Sequence, residues 1–306
     1  MPKKQNIKWH TILKRIKDGK CTPFLGAGAN YEILPESLGG DIAQQLAEKF
    51  EYRGKDSHDL IRVAQYLAIT EDAMVPKEEI LRLLKEQIEQ WEKAHTLPDF
   101  FKKSNEPLGI LAELPFPVYI TTNYDDLMIK ALKAWKKEPK REFCRWNDLL
   151  KKRESAFDPE FVPSVANPLI FHLHGYAEKP QSLVLTEDDY INFLVNISSD
   201  EHKLLPPFIH GIMGGTSLLF IGYALTDWNF RVLFRGLVES MEASLRYATV
   251  SVQLPQEVEE EKYMVEYFRN IKVDVYWGTA KEFVLELRDR WSEFEDESKK
   301  ESKNEG

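Results

Sequence analysis

Cysteine is scarce in this chain, whose 306 residues include only Cys21 and Cys144. Two cysteines cannot supply a four-cysteine zinc site, and they argue against a framework of disulfide bonds. Long apolar runs are missing too, because no stretch approaches the roughly 20 residues that a membrane-spanning helix needs. Residues 1–5 also lack the apolar segment of a secretory signal peptide. We therefore expect a cytoplasmic protein that holds no zinc and has no membrane span.

A surplus of positive charge is also missing. The formal net charge is −9 at pH 7, whereas proteins that bind a phosphate backbone regardless of its sequence need a basic face. Generic binding to nucleic acid is therefore not expected. The chain contains 43% hydrophobic and 30% charged residues, which is typical of a globular protein. Its length suffices for one large core or two modest ones.

Short apolar segments that alternate with helical patterns predict the fold class. In residues 9–16 apolar residues repeat every three or four positions, and Gly19 is placed to end this first helix. Parallel strands need crossovers of a dozen or more residues, which are usually helical. We therefore predict an α/β fold with a doubly wound, Rossmann-like parallel sheet and helices on both faces. The predicted strands are 22–25, 118–122, 169–173, 182–185, 217–221, 247–252 and 273–277.

The predicted elements group into one domain over residues 1–294. Residues 41–113 are predicted as a helical insertion, since apolar residues recur at three- and four-residue steps over most of it and no strand pattern is present. Residues 138–167 are polar, contain three prolines and are predicted to be irregular. Residues 295–306 consist almost wholly of Glu, Lys, Ser, Asp and Asn, and we predict a disordered tail there.

A glycine turn, Gly26-Ala27-Gly28, follows the first predicted strand directly. Glycines let the backbone approach a pyrophosphate closely, and N–H groups at a following helix start bind its charge. The dinucleotide fingerprint has a third glycine where this chain has Tyr31, which disfavours a dehydrogenase. No Gly-Lys-Ser/Thr is present, so an ATPase P-loop is excluded. By itself the turn fits an ordinary strand end equally well.

Short polar side chains stand at the end of the strand at 118–122. Ligands of open α/β sheets lie outside the carboxyl ends of the strands, which is where Thr122, Asn123 and Asp125 fall. The Asn123 amide offers a donor and an acceptor, so it can hold a water molecule or an amide in a fixed orientation. Asp125 is also placed to cap a helix over 127–134. We predict a functional role for Asn123 and leave both roles open for Asp125.

Two histidines stand at the end of the strand at 169–173. Strand alternation puts His172 and His174 on the same face, but two ligands without a suitably spaced third make a poor zinc site. His174 precedes a glycine at the strand end, and we predict that it acts as a general base near neutral pH. His172, deeper in the strand, is predicted to be structural.

The strand at 217–221 breaks at Gly222, and a helix restarts near Asp227. A glycine at a strand end permits a ligand to approach the backbone closely. Asp227 is placed to cap the helix, which is its simplest interpretation. Together with the three preceding segments, this one completes an ordered set of strand ends with polar or glycine residues.

Four motifs resemble, in order, those of the sirtuin superfamily. The resemblance runs from about residue 22 to residue 230 and is closest to the bacterial sirtuin-like branch found in antiphage defence systems. It implies that NAD binds as the substrate in the crevice of the sheet. The motifs are Gly26-Ala27-Gly28-Ala29-Asn30, Thr121-Thr122-Asn123-Tyr124-Asp125, Leu173-His174-Gly175 and Gly222-Tyr223-Ala224-Leu225-Thr226-Asp227.

The resemblance implies a role for each matching residue. Asn123 matches the residue that orients water and ribose, Asp125 the acid that helps hold the nicotinamide pocket, and His174 the histidine that polarises a ribose hydroxyl. The glycine turn would cradle the phosphates, and the segment from Gly222 would line the adenosine side. Asn30 stands where most sirtuins carry serine. The residues implied to contact NAD are Gly26, Ala27, Gly28, Asn30, Thr122, Gly222, Tyr223 and Asp227.

The resemblance and the missing cysteines together imply hydrolysis of NAD. Protein deacylases of this superfamily usually carry a module with four zinc-binding cysteines, which this chain cannot build. Water is then the acceptor, and the products are nicotinamide and ADP-ribose. The branch implies NAD depletion in abortive infection, an off state that involves homo-oligomerisation or a partner, and a HerA-type translocase ATPase with which the chain works. The alternatives are a non-catalytic NAD or ADP-ribose sensor that acts through assembly, and a deacylase.

Overall fold

A seven-stranded sheet forms the centre of the computed structural model, which describes residues 7–35, 37–97, 99–151, 160–199, 205–224, 249–255, 258–270 and 273–304. Every strand pairing is parallel, in the order β3-β4-β2-β1-β5-β6-β7. The predicted α/β class with a parallel sheet is confirmed. The strands are β1 (Cys21–Leu25), β2 (Val118–Thr121), β3 (Lys140–Phe143), β4 (Leu169–His172), β5 (Ser217–Ile221), β6 (Thr249–Gln253) and β7 (Val273–Trp277).

Helices cover the sheet and connect its strands. None of those in the described residues combines the length and the apolarity needed to cross a bilayer. Three short 3-10 turns accompany them, at Ala27–Asn30, Phe100–Lys102 and Pro180–Ser182. The α-helices of the described residues are α1 (Trp9–Lys17), α2 (Leu38–Lys49), α3 (Leu60–Thr70), α4 (Val75–Ala94), α5 (Pro107–Glu113), α6 (Leu127–Ala134), α7 (Asp148–Lys151), α8 (Glu187–Ser199), α9 (Pro207–Gly215), α10 (Val258–Asn270) and α11 (Ala280–Asn304).

The two faces of the sheet carry separate cores. In β1, Cys21 and Leu25 join the core under α1, α5, α6 and α11, whereas Phe24 joins the opposite core under α8, α9 and α10. This division follows from the alternation of side chains along a strand, and a sheet covered on both faces needs nearly continuous apolar strands. Pro23 lacks an N–H but does not interrupt the β1–β2 ladder, because that pairing begins at Phe24.

Helices α2, α3 and α4 form a module with a core of its own. Its fully buried side chains include Ala43, Val63 and Leu67. The helices predicted within 41–92 are therefore present. Helix α5 falls inside the predicted insertion, 41–113, but its side chains pack into the sheet core under α1 and α11. The module, defined here as α2 to α4, is thus shorter than the predicted insertion.

A buried ion pair ties this module to the first turn of α8 and to the loop before it. Lys77 of α4 places its Nζ 3.0 Å from Asp189 Oδ2 and donates to Leu183 O at 3.0 Å. The same Asp189 oxygen accepts the N–H groups of Leu185 and Thr186 at 3.1 and 3.2 Å. Removing one partner of a buried pair leaves the other charge uncompensated, so the loss of either partner destabilises the fold. The loop is therefore held firmly between the module and the sheet.

The prediction of a strand at 182–185 is wrong. The backbone of Val184 pairs with no strand, since its N–H donates to His174 O at 3.0 Å and its carbonyl accepts the Tyr124 hydroxyl at 2.6 Å. Its apolar neighbours Leu183 and Leu185 are buried in the core of the module. The short apolar run that suggested a strand therefore reflects burial without strand pairing.

The segment predicted to be irregular, 138–167, contains the edge strand β3. This strand pairs only with β4, and its sequence is Lys-Arg-Glu-Phe, in which only the last two side chains are buried. Charged residues are typical of edge strands because they discourage pairing with another chain. An edge strand of this kind lacks the apolar run that identifies a buried strand. Residues 152–159 lie outside the described part of this segment.

The predicted disordered tail is also wrong for residues 295–304, which continue helix α11. Glu and Lys are good helix formers, and opposite charges four residues apart support a helix. Lys299 Nζ lies 3.9 Å from Glu295 Oε2, one such spacing. A polar composition therefore extends the helix here. Residues 305 and 306 lie outside the described chain.

Candidate active site

A cavity of about 660 Å³ opens at the carboxyl ends of the central strands. Its volume is within the range of roughly 300–1,000 Å³ that small-molecule sites occupy. Most of the residues that line it come from the strand ends, from the loop after β7 and from the module, and α8 and α10 add Tyr190 and Met264. The residues singled out from the sequence that line it are Ala27, Gly28, Asn30, Thr122, Asn123, Asp125, His174, Gly222 and Tyr223.

The glycine turn is tied to the end of β5. Gly26 N–H donates to Ile221 O at 2.9 Å, and Gly28 N–H donates to Gly222 O at 3.0 Å. These two amides are therefore already bonded within the protein. The turn continues as a 3-10 helix from Ala27 to Asn30, and Ala27 is exposed at its start. A phosphate-binding role for Gly26, Ala27 and Gly28 stays a prediction.

Gly222 must be a glycine because of this packing. Its φ of +82° lies in the left-handed region, which strains other residues. A Cβ on Gly222 would overlap the amide nitrogen of Ala29, and one on Gly26 would lie 2.6 Å from Gly222 O. The glycines were predicted to permit the approach of a ligand. The structure shows that they first permit the approach of one strand end to another.

Thr122 and Tyr223 meet above the end of β1. The Tyr223 hydroxyl donates to Leu25 O at 2.9 Å, so the Thr122 hydroxyl, 2.9 Å away, donates to the Tyr223 oxygen. Gln253, at the end of β6, donates from Nε2 to Tyr223 O at 3.0 Å. Four strand ends, those of β1, β2, β5 and β6, are thus joined beside the cavity. Asp227, the remaining residue of this predicted segment, lies outside the described residues.

Asn123 is half-buried and held from its own strand and from the glycine turn. Its backbone N–H donates to Thr121 Oγ1 at 3.0 Å, and its side-chain Nδ2 donates to Gly26 O at 3.1 Å. These contacts orient the amide, because a carbonyl oxygen can only accept. No group of the described residues donates to its Oδ1. Asn123 therefore presents an acceptor beside the glycine turn, as the orientation of a water molecule or a ribose requires.

Asp125 pairs with Asn30 across the cavity wall. Asn30 Nδ2 donates to Asp125 Oδ2 at 2.7 Å, and Leu127 N–H donates to the other carboxyl oxygen at 3.0 Å. The cap at the start of α6 and a place in the cavity wall are therefore compatible. Burial raises the pKa of Asp125 to about 6. Asn30, the departure from the family pattern, supplies the amide that holds this carboxyl.

The raised pKa of Asp125 predicts a pH dependence of stability. The folded state keeps a proton on this carboxyl up to about pH 6, whereas the unfolded chain releases it near 3.8. Between these values the folded state binds more protons, so the contribution of Asp125 to the free energy of unfolding falls as the pH rises. Asp125→Asn removes this loss, and the stability of the variant relative to the parent should increase with pH across this window. Urea unfolding at both ends of the window measures it, and a constant difference would contradict the assignment.

His174 is buried against the aromatic rings of α8. Its ring lies edge-on to Tyr190 and Phe193, with centroids 5.5 and 5.0 Å away. Burial lowers the pKa of His174 to about 3. The ring is therefore neutral at pH 7, and its role as a general base near neutral pH stays a prediction. Its Nε2 is buried and has no partner among the described residues.

His172 lies beside this site and does more than fill the core. Its Nδ1 is 3.1 Å from Asn123 O, and its ring contacts Tyr176 with centroids 5.5 Å apart. Burial lowers its pKa to about 4, so the ring is neutral at pH 7. The two histidines thus contact different aromatic neighbours. Among the described residues no three His, Cys, Asp or Glu side chains are grouped to hold a metal ion.

Two walls of the cavity were missed from the sequence. The module contributes an apolar wall, and the loop after β7 contributes Thr279, whose hydroxyl accepts the N–H of Glu282 at 3.1 Å. Glu282 returns a bond to Thr279 N–H at 2.7 Å, which makes a capping box at the start of α11. This Thr-x-x-Glu pattern directly after a predicted strand was a detectable signal. The apolar wall gave no such signal in the sequence. Its residues are Leu38, Ile42, Leu60, Ile80 and Leu84.

The sequence also matches known proteins. The NAD(+) hydrolase ThsA of Acinetobacter baumannii (strain 532279) is 31% identical over 237 residues, which are 74% of this chain and 40% of that protein. The ThsA of Enterococcus faecium is 28% identical over 240 residues, 75% and 42% of the two chains. Defense-associated sirtuin 2 of Bacillus subtilis is 30% identical over 144 residues, 45% and 12% of the two chains. The chain spans about two fifths of the length of the curated ThsA relatives.

A family profile gives the same result. The profile described as a SIR2-like domain matches residues 117–276, just over half of the chain. The match includes Asn123, Asp125, His174 and Gly222, and the glycine turn lies before it. The parallel sheet and the cavity at its carboxyl edge agree with the resemblance to the sirtuin superfamily. The chain therefore belongs to the SIR2-like family.

Proposed function

We propose that this chain hydrolyses NAD to nicotinamide and ADP-ribose. The observation that carries the proposal is that Asn123, Asp125 and His174 line one cavity together with Ala27 and Gly28 of the glycine turn. The curated relatives named NAD(+) hydrolase support it. In this proposal residues 1–294 are the catalytic domain. The substrate contacts are Gly26, Ala27, Gly28, Asn30, Thr122, Gly222, Tyr223 and Asp227.

The chemistry needs orientation more than a strong acid. The bond between nicotinamide and C1′ of the ribose breaks, and the electron pair leaves with a nicotinamide that becomes neutral. Water then adds to the oxocarbenium-like ribose and releases one proton. Asn123 Oδ1 would accept from this water or from a ribose hydroxyl, and neutral His174 would accept from a ribose hydroxyl. The proton released by this water passes to solvent.

Water is proposed as the acceptor because the chain lacks the parts of a deacylase. Its two cysteines are buried in the cores on opposite faces of the sheet, Cys21 under α1 and Cys144 beside β4. Neither can join the other in a metal site.

The cavity wall formed by the module is apolar, and an apolar wall limits the number of water molecules beside the ribose.

The proposed role is NAD depletion in antiphage defence, in the cytoplasm. The relative named Defense-associated sirtuin 2 supports a defence role. A constitutive NAD hydrolase would harm its own cell, so the activity needs an off state. We propose that homo-oligomerisation or a partner provides it and that the chain works with a HerA-type translocase ATPase, on the ground of the resemblance to the defence branch.

A direct assay tests this proposal. Purified protein is incubated with NAD, alone and with a HerA-type ATPase, and nicotinamide is followed by chromatography while light scattering reports the oligomeric state. We expect release without any acetylated peptide. NAD binding without release in both arms would contradict hydrolysis and favour a sensor. Release only in the presence of an acetylated peptide would favour a deacylase.

A further inference from the structure

His172 ends β4 and is buried next to the residue that we propose orients water. It pairs in register with Thr121, at the end of β2. Only 1% of its surface is exposed, and Nδ1 lies 3.1 Å from the backbone oxygen of Asn123. A carbonyl oxygen only accepts, so Nδ1 carries the proton and donates. This fixes the tautomer and leaves Nε2 as a bare acceptor.

Because His172 Nε2 has no donor, filling space does not explain why this residue is a histidine. Nε2 is buried and no described group donates to it, and a buried polar atom without a partner costs stability. The ring lies against Tyr176, where a phenylalanine of similar shape would carry no such cost. What phenylalanine lacks is the donor at Nδ1. The contact with Asn123 is therefore the feature that distinguishes histidine here.

The contact acts on a part of the chain that has left the sheet. After β2 the backbone runs irregularly until α6, so strand pairing does not orient Asn123. Two groups hold this stretch, one at the end of β4 and one in the loop that follows it. His172 Nδ1 binds Asn123 O, and Ala177 N–H donates to Tyr124 O at 2.9 Å. Together they fix the peptide planes on the carboxyl side of Asn123.

We infer that His172 is a positioning residue, which holds the Asn123 peptide through its Nδ1–H so that the Asn123 side chain faces the cavity. The inference rests on the proposed NAD hydrolysis for its activity readout. Residues that orient the ligands of a catalytic metal are commonly worth about 10–100-fold in activity, and we expect an effect of that size from His172. The effect should fall on the turnover rate, since His172 does not line the cavity.

Two substitutions separate the donor from the ring. In His172→Asn the side-chain NH₂ can occupy the position of Nδ1, so the hydrogen bond is kept while the ring is lost. In His172→Phe the ring is kept and the donor is lost. We expect His172→Phe to lower kcat for nicotinamide release by about 10–100-fold with little change in KM, and His172→Asn to retain most of the parent kcat. His172→Phe should be more thermally stable than His172→Asn, because phenylalanine fills the buried site better.

A matched control is available at His95. Its Nδ1 also contacts a backbone carbonyl, Trp91 O at 2.9 Å, but it lies at the end of α4 and does not line the cavity. His95→Phe should leave kcat unchanged. If His172→Phe has the parent kcat, or if kcat follows thermal stability across the variants, the positioning role is refuted.

A second readout does not depend on activity. The Tyr124 N–H belongs to the peptide that His172 holds, so its ¹⁵N resonance should shift in His172→Phe and stay near the parent position in His172→Asn. A parent protein that releases no nicotinamide refutes the proposed function alone. An unchanged Tyr124 resonance in His172→Phe refutes the inference whether or not NAD is cleaved.

Discussion

Replacing Asn123 with alanine should lower the rate of nicotinamide release by at least about 100-fold. The Asn123 amide is fixed through Nδ2 to Gly26 O, and its backbone is held by Thr121 and His172. An acceptor held in this way orients a water molecule or a ribose without reorganising during the reaction. Alanine removes the acceptor and leaves the backbone contacts in place. The rate is measured by chromatography of nicotinamide at saturating NAD.

Asn196 supplies the control for this substitution. Its Nδ2 donates to Trp146 O at 3.0 Å, so it too binds a backbone carbonyl, but it lies on α8 away from the cavity lining. Asn196→Ala should keep the parent rate, and circular dichroism should show both variants folded. A fully active Asn123→Ala protein would remove the basis of the proposed mechanism.

Replacing Gly222 with alanine should lower the free energy of unfolding by about 2–5 kcal/mol. The positive φ strains any residue with a Cβ, and the added carbon would overlap the amide of Ala29. The neighbouring backbone cannot yield cheaply, because Gly28 N–H is bonded to Gly222 O. Relief of the overlap requires the glycine turn to move away from β5. Urea unfolding measures the loss, and NAD hydrolysis should fall with it.

Replacing Gly211 with alanine should instead raise the free energy of unfolding. Gly211 lies within α9, and a Cβ there meets nothing within 4 Å. Alanine in a helix interior is favoured over glycine by about 0.5–1 kcal/mol, so Gly211→Ala should be slightly more stable than the parent. Equal effects of the two substitutions would show that the packing at Gly222 does not determine its role.

The part of the fold predicted from the sequence is the part that packs on both faces. Strands such as Ser217–Ile221 and Val273–Trp277 were predicted at their observed bounds, because a strand in the sheet interior is a short apolar run. Edge strand β3 pairs on one side only and carries charges, so it had no such pattern. Leu183 and Leu185 had the pattern without the strand, because their burial comes from the helical module.

The candidate site was predicted one residue at a time, and its contacts were not. Strand ends identified Asn123 and His174, because parallel strands present their carboxyl ends at one edge. The pairs Asn30 with Asp125 and Thr122 with Tyr223 join residues 95 and 101 positions apart, and periodicity carries no information at that separation. The low pKa of His174 depends on the rings of α8 packing against it. Such an environment exists only after the chain has folded.

The reactivity of the two buried cysteines with a thiol reagent reports whether the cores around them are closed. Burial raises the pKa of Cys144 to about 12 and that of Cys21 further still, so the reactive thiolate is scarce while the cores stay closed. Because one thiol lies under each face of the sheet, a thiol reagent distinguishes the opening of one helical layer from that of the other. Single exposed cysteines can be introduced for labelling without competition from the native pair. The two native thiols thus report separately on the two halves of one molecule.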